Sequence, residues 1–487
     1  MAESISARLR EAMTRHASAS LTAIIAPEQV SYADLQTRID GFAAGFRTWG
    51  VSHGAMVGVI APKSVDAIAA YFGAMQAGAC VCFLEPGLAP DIVAEQADVV
   101  GMRHLVVDET LIGRFDIPAQ TRLDIRTLSD LEGEGAFIDE ALEAHDNAML
   151  LFTSGSTGRP KGVLLCHGAL ICNADGVVRH TGTTSDDRLL HVMPLYHTNG
   201  VNNQLIVPFL AGASVILLDR FKPEMTLAHL RNDRPTYLTG VPTIYARMLP
   251  HLIPGERFPS LKFLRCGSAP ITPALHEQIE EAFGVPLIVS YGLSEATCTS
   301  TMNPPERRKL GTIGTVLAGQ TVTLFDPVMN KPVPLGREGE IRITGPALMT
   351  GYLGSPEQPI VDGWLRTGDL GRFDEDGFLA ITGRIKDVII RGGENISPAL
   401  IERQLATHPA VRDCCVVGAP DDDLGEVPVA FVVLRDGESL DETGLKDFIR
   451  GSLARIYVPA EIRSLAALPT NGVGKTDRKS LRSLLNA

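Results

Sequence analysis

The sequence has 487 residues, of which 45% are hydrophobic and 21% are charged, as is ordinary for a soluble globular enzyme with two or more domains. The formal net charge of −13 argues against nucleic acid or an anionic membrane as the main partner, because both attract clustered Lys and Arg. Pro208 and Gly212 interrupt the longest apolar run, residues 204–218, so no membrane insertion is expected, and the eight cysteines include no zinc-binding Cys-x-x-Cys pair.

The first part of the sequence alternates between short apolar runs and segments with helical periodicity. Residues 3–13 have the pattern of an amphipathic helix and lack the apolar core of a signal peptide, which predicts a cytoplasmic protein. Apolar runs at 56–60 and 213–218 alternate with helical patterns at 67–76 and 272–283. This alternation predicts parallel α/β sheets.

A loop rich in glycine and hydroxyl groups follows the apolar run at 148–152. Its residues are Thr153, Ser154, Gly155, Ser156, Thr157, Gly158, Arg159, Pro160, Lys161 and Gly162. Glycines let backbone N–H groups approach an oxyanion, and the hydroxyls and cations supply further donors, so the segment predicts a phosphate-binding loop. It is not a Walker loop, because Pro160 and Gly162 flank Lys161 where that motif requires Gly and then Ser or Thr. The alternative interpretation is a plain Gly/Ser hairpin turn.

The pattern changes near residue 311. Short strand-like runs separated by turns extend from 311 to 381 and predict a small β-rich subdomain. A charged segment at 383–387 follows, and we place a domain boundary there, with residues 386–487 forming a small α/β domain.

Seven further motifs occur in chain order after the loop. They are PLYH (194–197), GSAP (267–270), YGLSE (291–295), GEI (339–341), WLRTGD (364–369), GRIKD (383–387) and NGVGK (471–475). Together with the loop and with VSYADL at 30–35, the series resembles the adenylate-forming superfamily, which includes acyl-CoA synthetases, luciferases and peptide-synthetase adenylation domains. The resemblance covers nearly the whole chain and is strongest to acyl-CoA synthetases.

The resemblance implies an α/β fold of two unequal parts. The large adenylation domain would span residues 1–385 and contain α/β sheets together with the β-rich subdomain at 311–385. The small C-terminal domain, 386–487, would rotate on a hinge at Lys386 between two half-reactions. The resemblance leaves a homodimer open and implies no nucleic acid partner.

The resemblance also implies a reaction in which ATP and a carboxylic acid form an acyl-adenylate, pyrophosphate leaves, and coenzyme A takes the acyl group while AMP is released. Lys475 would stabilise charge where the carboxylate meets the α-phosphate, Glu295 would bind Mg²⁺, and His197 would complete the catalytic group. Besides loop residues 153–158 and Lys161, the implied ATP and AMP contacts are Gly267, Ser268, Ala269, Tyr291, Gly292, Ser294, Asp369 and Arg384. Arg391, Gly392 and Gly393 would line the tunnel for the pantetheine arm of CoA.

The acyl pocket would determine which acid is bound. By resemblance its walls are His197, Val201, Asn202, Gly240, Ser290, Ala296 and Cys298. The polar segment 197–203 predicts a short or polar acid, unless Asn199, Asn202 and Asn203 cap the following helix. Arg247 resembles its neighbourhood in malonyl-CoA synthetases and would pair a second carboxylate, or it is a solvated helix residue.

Three other functions stay open at this point. A stand-alone adenylation enzyme would load a carrier protein in place of CoA. A malonyl-CoA-synthetase-like enzyme would ligate a dicarboxylate. A catalytically inert ligand-binding homologue is disfavoured, because Glu295, Asp369, Arg384 and Lys475 are all present.

Overall fold

The computed structural model describes residues 3–25, 28–115, 123–154, 160–392, 394–470 and 476–485. Within these ranges no helix combines the length and apolarity needed to cross a membrane. The α-helices are α1 Ile5–Ser18, α2 Tyr32–Thr48, α3 Val65–Gln76, α4 Pro90–Val100, α5 His167–Thr181, α6 Val207–Ala211, α7 Pro223–Asn232, α8 Pro242–Met248, α9 Pro273–Phe283, α10 Pro398–Leu405, α11 Glu442–Arg450 and α12 Arg478–Ser483.

Most of the strands are short and belong to four sheets. They are β1 Thr22–Ile25, β2 Val30–Ser31, β3 Met56–Ile60, β4 Cys80–Phe83, β5 His104–Val107, β6 Asp124–Thr127, β7 Asn147–Ser154, β8 Pro160–Cys166, β9 Arg188–His191, β10 Ser214–Leu217, β11 Tyr237–Gly240, β12 Phe263–Cys266, β13 Leu287–Tyr291, β14 Thr301–Met302, β15 Thr315–Val316, β16 Thr321–Phe325, β17 Gly339–Thr344, β18 Gly351–Leu353, β19 Ile360–Val361, β20 Trp364–Phe373, β21 Leu379–Arg384, β22 Ile389–Arg391, β23 Glu394–Ile396, β24 Val411–Asp421, β25 Gly425–Leu434 and β26 Glu461–Ser464.

Two large sheets form the body of the protein. One has nine strands in the order β15-β14-β13-β12-β11-β9-β10-β1-β2, and the other has seven in the order β18-β8-β7-β4-β3-β5-β6. The inner strands of both run parallel, and antiparallel strands lie only at their ends. One core cluster joins residues of both sheets with α1, α2, α3 and α5. The predicted parallel α/β architecture is confirmed, and its inner strands are nearly continuous apolar runs because helices cover both faces.

Residues 311–385 connect the sheets to one another. Strands β16, β17, β20 and β19 form a five-stranded sheet with β21, which pairs with β20. Two further strands of this stretch leave it, because β15 extends the nine-stranded sheet and β18 pairs with β8 of the seven-stranded sheet. The connection brings side chains from all three sheets to one place.

The C-terminal residues form a separate sheet in the order β23-β22-β25-β24, with β26 paired to β25. Helices α10 and α11 cover its main apolar cluster. This smaller unit contacts the body through Ser397, whose hydroxyl donates to the Thr382 carbonyl at 2.5 Å, and through Arg403, which donates to the Ile381 carbonyl at 3.0 Å. The predicted fold class, a large N-terminal and a small C-terminal α/β part, is confirmed.

Candidate active site

The predicted phosphate-binding loop connects two antiparallel strands, β7 and β8. Thr153 pairs with Lys161 across this hairpin, and Ser154 pairs with Pro160. Gly155, Ser156, Thr157, Gly158 and the side chain of Ser154 lie outside the described residues. The buried Thr153 hydroxyl has no hydrogen-bond partner among the groups that the structure describes. The described ends therefore place a free hydroxyl and one cation at the base of the loop.

Tyr352 links the loop cation to the predicted magnesium ligand. The Lys161 ammonium nitrogen lies 3.6 Å from the centre of the Tyr352 ring, and the Tyr352 hydroxyl donates to Glu295 Oε1 at 2.5 Å. Burial and the Glu295 carboxylate raise the pKa of Tyr352 above its ordinary value, so the hydroxyl keeps its proton and can donate. The tyrosine lies on β18, which pairs with β8, the strand that follows the loop. Sequence analysis missed it, because this strand pairing joins distant parts of the chain.

Glu295 fits a role as a magnesium ligand. No group of three or more His, Cys, Asp or Glu side chains in the described ranges is placed to hold a metal ion by itself. A cation at Glu295 would take its other ligands from phosphate oxygens and water, which is how Mg²⁺ commonly binds beside nucleotides. The Glu295 backbone carbonyl is fixed by the Met349 N–H at 2.9 Å.

Asp369 lies at the centre of a second polar cluster. Strand register places it opposite Arg384, whose Nε donates to Asp369 Oδ1 at 2.5 Å, and the Tyr291 hydroxyl donates to Oδ2 at 2.7 Å. Burial and the Asp369 charge raise the pKa of Tyr291 well above its ordinary value, so this hydroxyl is also a donor. Each carboxylate oxygen keeps a lone pair free, so Asp369 can still accept from two neighbouring hydroxyl groups such as those of ribose. The structure thus brings together the three residues assigned to the nucleoside.

Close backbone approaches hold the nucleotide-binding turns beside the predicted acyl pocket. A Cβ atom on Gly292 would lie 2.0 Å from the Cys298 carbonyl oxygen, and one on Gly267 would lie 2.8 Å from Ser290 Oγ. Only glycine fits at Gly292 without moving backbone. Ser268, the residue after Gly267, has a positive φ of 65°, and Ala269 follows in the same turn. Ser294 contacts Thr198, with 3.4 Å between the two hydroxyl oxygens.

A π-helix, Asn199–Ile206, forms one wall of the predicted pocket. It contains Val201 and the asparagines, all of them buried. Asn202 donates to Asn173 Oδ1 at 2.8 Å, and Asn203 donates to Cys298 Sγ at 2.9 Å. Helix α6 begins after Ile206 and has no side-chain cap, so the alternative in which these asparagines cap it is wrong. Their amides join the segments of the pocket wall instead, and π-helical turns of this kind are frequent at functional sites.

His197 lies at the start of that wall, with its ring 4.7 Å from the Tyr196 ring. A buried histidine behind it, His191, holds the π-helix in place. The Gly200 carbonyl, 2.9 Å from His191 Nε2, can only accept, so Nε2 carries the proton and Nδ1 accepts from Lys63 at 3.3 Å. Burial lowers the pKa of Lys63 to about 7. Neither His191 nor Lys63 lies in a motif, so sequence analysis did not find them.

A buried guanidinium lies behind the pocket residues. Arg265 on β12 is 3% exposed; its Nε donates to Ser290 Oγ at 3.3 Å and one of its terminal nitrogens donates to Thr299 Oγ1 at 2.6 Å. Arg265 forms no ion pair with any carboxylate in the described part of the chain. Burial lowers the pKa of this guanidinium from its ordinary value, yet an arginine stays charged in proteins. The sequence offered no signal for it beyond a cation in an otherwise apolar strand.

The backbone beside Arg265 is strained. Thr297 and Cys298 have positive φ angles of 53° and 89°, which residues with side chains rarely adopt. Ala296, the residue before them, is fully buried. Burial raises the pKa of the Cys298 thiol, which therefore stays protonated. Such outliers cluster at ligand sites.

Other predicted pocket residues are placed as follows. Gly240 ends β11 and is buried, and a Cβ atom on it would meet the Ile244 side chain at 3.3 Å. Arg247 lies in the last turn of α8, is exposed, and forms no ion pair within the described ranges. The structure therefore leaves Arg247 as a solvated helix residue in this conformation.

The C-terminal residues are only partly described. Arg391 donates to the carbonyls of Ile456 and Val458, and Gly392 has a positive φ of 58°, whereas Gly393 and Lys475 lie outside the described residues. Thr470 and Thr476 pair with each other on either side of segment 471–475. Arg478, three residues after Lys475, donates to both oxygens of Glu402 at 2.8 and 3.0 Å. This ion pair fixes the base of the segment that carries Lys475.

The sequence and the fold are both similar to those of known proteins. A family model described as AMP-binding enzyme matches residues 9–353, and one described as AMP-binding enzyme C-terminal domain matches residues 400–475. A feruloyl-CoA synthase from Amycolatopsis sp. is 34% identical over 93% of both chains. A sulfoacetate–CoA ligase from Cupriavidus necator is 38% identical over 69% of this chain and 66% of that protein. The crystal structure of ATP-bound MatB from Rhodopseudomonas palustris has a TM-score of 0.89 and 31% identity, covering 98% of both chains.

Proposed function

Because this chain belongs to the AMP-binding enzyme family and is an AMP-forming carboxylic acid:CoA ligase, we propose that it activates a short acid that carries a second anionic group. It uses ATP, Mg²⁺ and CoA. The observation that carries the proposal is Arg265, a buried cation that contacts the pocket residue Ser290 and has no carboxylate partner in the described structure. The named CoA ligases among its relatives favour CoA over a carrier protein as the acceptor.

An unpaired buried charge is costly. Transferring a guanidinium from water into the interior costs several kcal/mol even after relaxation, and two neutral hydroxyls offset only part of that. A substrate anion that reaches this charge recovers the missing interaction. Charged groups of a substrate are bound most strongly at such desolvated and preorganised positions.

The position of Arg265 also argues that the acid is short. Ser290 accepts from Arg265 and at the same time lies against Gly267 of the nucleotide-binding turn. The Ser290 side chain alone therefore separates the buried Arg265 guanidinium from the turn that is predicted to bind the nucleotide. A long spacer between the two acidic groups of the substrate would not fit that distance.

The relatives support this choice in part. Sulfoacetate, named for the Cupriavidus relative, is a two-carbon acid with a second anionic group. Ferulate, named for the Amycolatopsis relative, is an aromatic monoacid. The observation on Arg265 favours the first kind of substrate. Arg247, the predicted carboxylate partner, is an exposed residue of α8, so it does not support the proposal.

We assign the chemistry to the following groups. Lys161, Thr153 and the loop hold the outer phosphates, and Glu295, oriented by Tyr352, would bind the Mg²⁺ ion that screens their charge. Asp369 and Arg384 hold the ribose. Lys475 approaches from the C-terminal domain and stabilises the charge that develops between carboxylate and α-phosphate.

The proposed lid, residues 386–487, turns at Lys386 so that Arg391 and Gly392 replace Lys475 at the site. Lys386 is exposed, within a single turn of 3₁₀-helix at Ile385–Asp387. Asp387 lies 3.6 Å from Arg478 of the lid, so the turn after Lys386 is tied to the lid rather than to the body. The proposal includes a cytoplasmic location, where ATP and CoA are available, and a homodimer, which a measured solution mass would test.

A matched panel of acids tests the proposed function. We would measure pyrophosphate release with and without CoA for each acid. Sulfoacetate is compared with propionate, and malonate and succinate are compared with butyrate. Ferulate is measured as the aromatic monoacid. The expected result is a kcat/KM at least about tenfold higher for the acids with a second anionic group, as one charge-assisted contact supplies. A preference for ferulate or butyrate would overturn the substrate proposal and leave the ligase assignment intact.

A further inference from the structure

A cavity of about 370 Å³ lies where the C-terminal unit meets the five-stranded sheet. This volume falls within the range of about 300–1,000 Å³ that is typical of small-molecule sites. Arg337, Arg372 and Thr382 line it from the body, and Leu400 and Arg403 of α10 line it from the other side. None of the described residues assigned to the active site is among those that line it.

The cavity carries an excess of positive charge. Three arginines and one carboxylate, Glu338, face it. Arg337 and Arg372 form no ion pair with any residue that the structure describes. One Arg403 nitrogen donates to the Ile381 carbonyl at 3.0 Å, which holds the guanidinium at the joint while its other nitrogens make no hydrogen bond to described groups. Several guanidinium donors are therefore available to one anion.

Thr382 supplies an independent sign of a ligand. This residue is 6% exposed, and its hydroxyl oxygen has no hydrogen-bond partner in the described structure. The Thr382 carbonyl is already used by Ser397. Leaving a buried hydroxyl unpaired costs about 1–3 kcal/mol, so a ligand oxygen that accepts its proton would be stabilised.

We propose that this cavity binds a phosphate-type oxyanion, and that the bound anion stabilises the orientation of the C-terminal unit found here. The arginines belong to both halves of the joint, so their common ligand binds with full strength only when α10 lies against β21. A ligand that binds one orientation better shifts the population toward it. Free pyrophosphate and the 3′-phosphate of a nucleotide share the required chemistry.

The binding test uses the full-length enzyme. Its active site is saturated with Mg·ATP in the absence of acid, and inorganic pyrophosphate or adenosine 3′,5′-bisphosphate is titrated in by calorimetry with Mg²⁺ in excess. Saturable binding to one further site is expected. Arg372→Gln and Arg403→Gln should each weaken it by about tenfold, the usual loss for one charge-assisted hydrogen bond. Arg435→Gln, an exposed lid arginine outside the cavity, should leave it unchanged. The stronger of the two probes identifies the source of the anion.

Single-turnover rates test the conformational part. In the wild type, the stronger probe should change the ratio of adenylation to thioester formation, and this change should disappear in Arg372→Gln/Arg403→Gln. Absence of a second binding site, or binding that the two substitutions leave unchanged, would overturn the proposal. Slowing of adenylation alone, by the same factor in wild type and variant, would mean that the anion acts at the ATP site, which would also overturn it. Either result is independent of which acid the enzyme prefers.

Discussion

The two ends of the candidate site differ in the partners of their buried or half-buried charged side chains. At the nucleotide end, Asp369 is bonded by Tyr291 and Arg384, and Glu295 is bonded by Tyr352. At the acyl end, Arg265 is buried with only hydroxyl partners among the described residues. A nucleotide is the same for every member of such a family, so its site can be complete before binding. The acyl end keeps a charge unpaired, and we propose that this unpaired charge selects the substrate.

The largest effect on rate is expected at the reacting carboxylate, which lies between the nucleotide and the acyl group. Lys475→Ala should lower adenylate formation by about 10²–10³-fold, the size typical of removing one preorganised charge-stabilising donor. The loss should be the same for every acid, because in the proposed role the lysine would act on the reacting carboxylate and not on the tail. Thioester formation from supplied acyl-adenylate should be spared. Single-turnover kinetics of both steps provide the measurement.

Lys386→Pro serves as the opposite control for that variant. Proline fixes φ near −65° at the proposed hinge, so rotation should be hindered and thioester formation should fall while adenylation survives. Equal loss of both steps in both variants, with folding intact, would refute the rotating lid without touching the overall reaction.

Gly240→Ile sharpens the comparison at the acyl end. The first added carbon would meet Ile244 at 3.3 Å, a contact that a side chain can relieve, and the remaining atoms would take pocket volume. Preference should move toward smaller acids by about 1–3 kcal/mol in the relative kcat/KM. An unchanged ranking across the acid panel would place the pocket elsewhere.

Tyr352→Phe probes the paired end. The variant keeps the ring under Lys161 and removes the hydroxyl that orients Glu295. Turnover should fall by about tenfold, and a higher Mg²⁺ concentration should be needed for half-maximal rate, since outer partners of metal ligands commonly contribute 10–100-fold. A Mg²⁺ dependence identical to the wild type would show that Glu295 does not need this tyrosine.

The smallest effect concerns stability and Lys63. Burial lowers the pKa of Lys63 to about 7 from an ordinary 10.5, so between pH 7 and 10.5 the unfolded chain binds a proton that the folded chain lacks. The contribution of Lys63 to the free energy of unfolding therefore becomes more favourable as pH rises through that window. Below pH 7 the buried lysine destabilises the fold by its full amount. Lys63→Met should raise the urea midpoint at pH 7 by an amount worth about 1 kcal/mol. The difference from wild type should shrink by pH 9.5; a difference that grows would contradict the assignment.

Sequence analysis could group residues of the candidate site where each of them lies in a local motif. Asp369 and Arg384 could be assigned to one site because each lies in a recognisable segment, and strand register then places them opposite each other. Tyr352 and Arg265 could not, because their roles depend on which distant strands become neighbours. The polar segment 197–203 left two interpretations open. Only the π-helical geometry separates a pocket wall from a helix cap.

The most direct test of the account is the change in selectivity caused by Arg265→Met, a substitution that keeps volume and removes the charge. We would compare kcat/KM for sulfoacetate and propionate, and for succinate and butyrate, in wild type and variant, with circular dichroism to confirm folding. The account predicts that the ratio within each pair falls by about 10- to 100-fold, almost entirely through the anionic acid. Loss of activity toward both acids by the same factor, with the ratio preserved, would contradict the claim that Arg265 recognises the substrate.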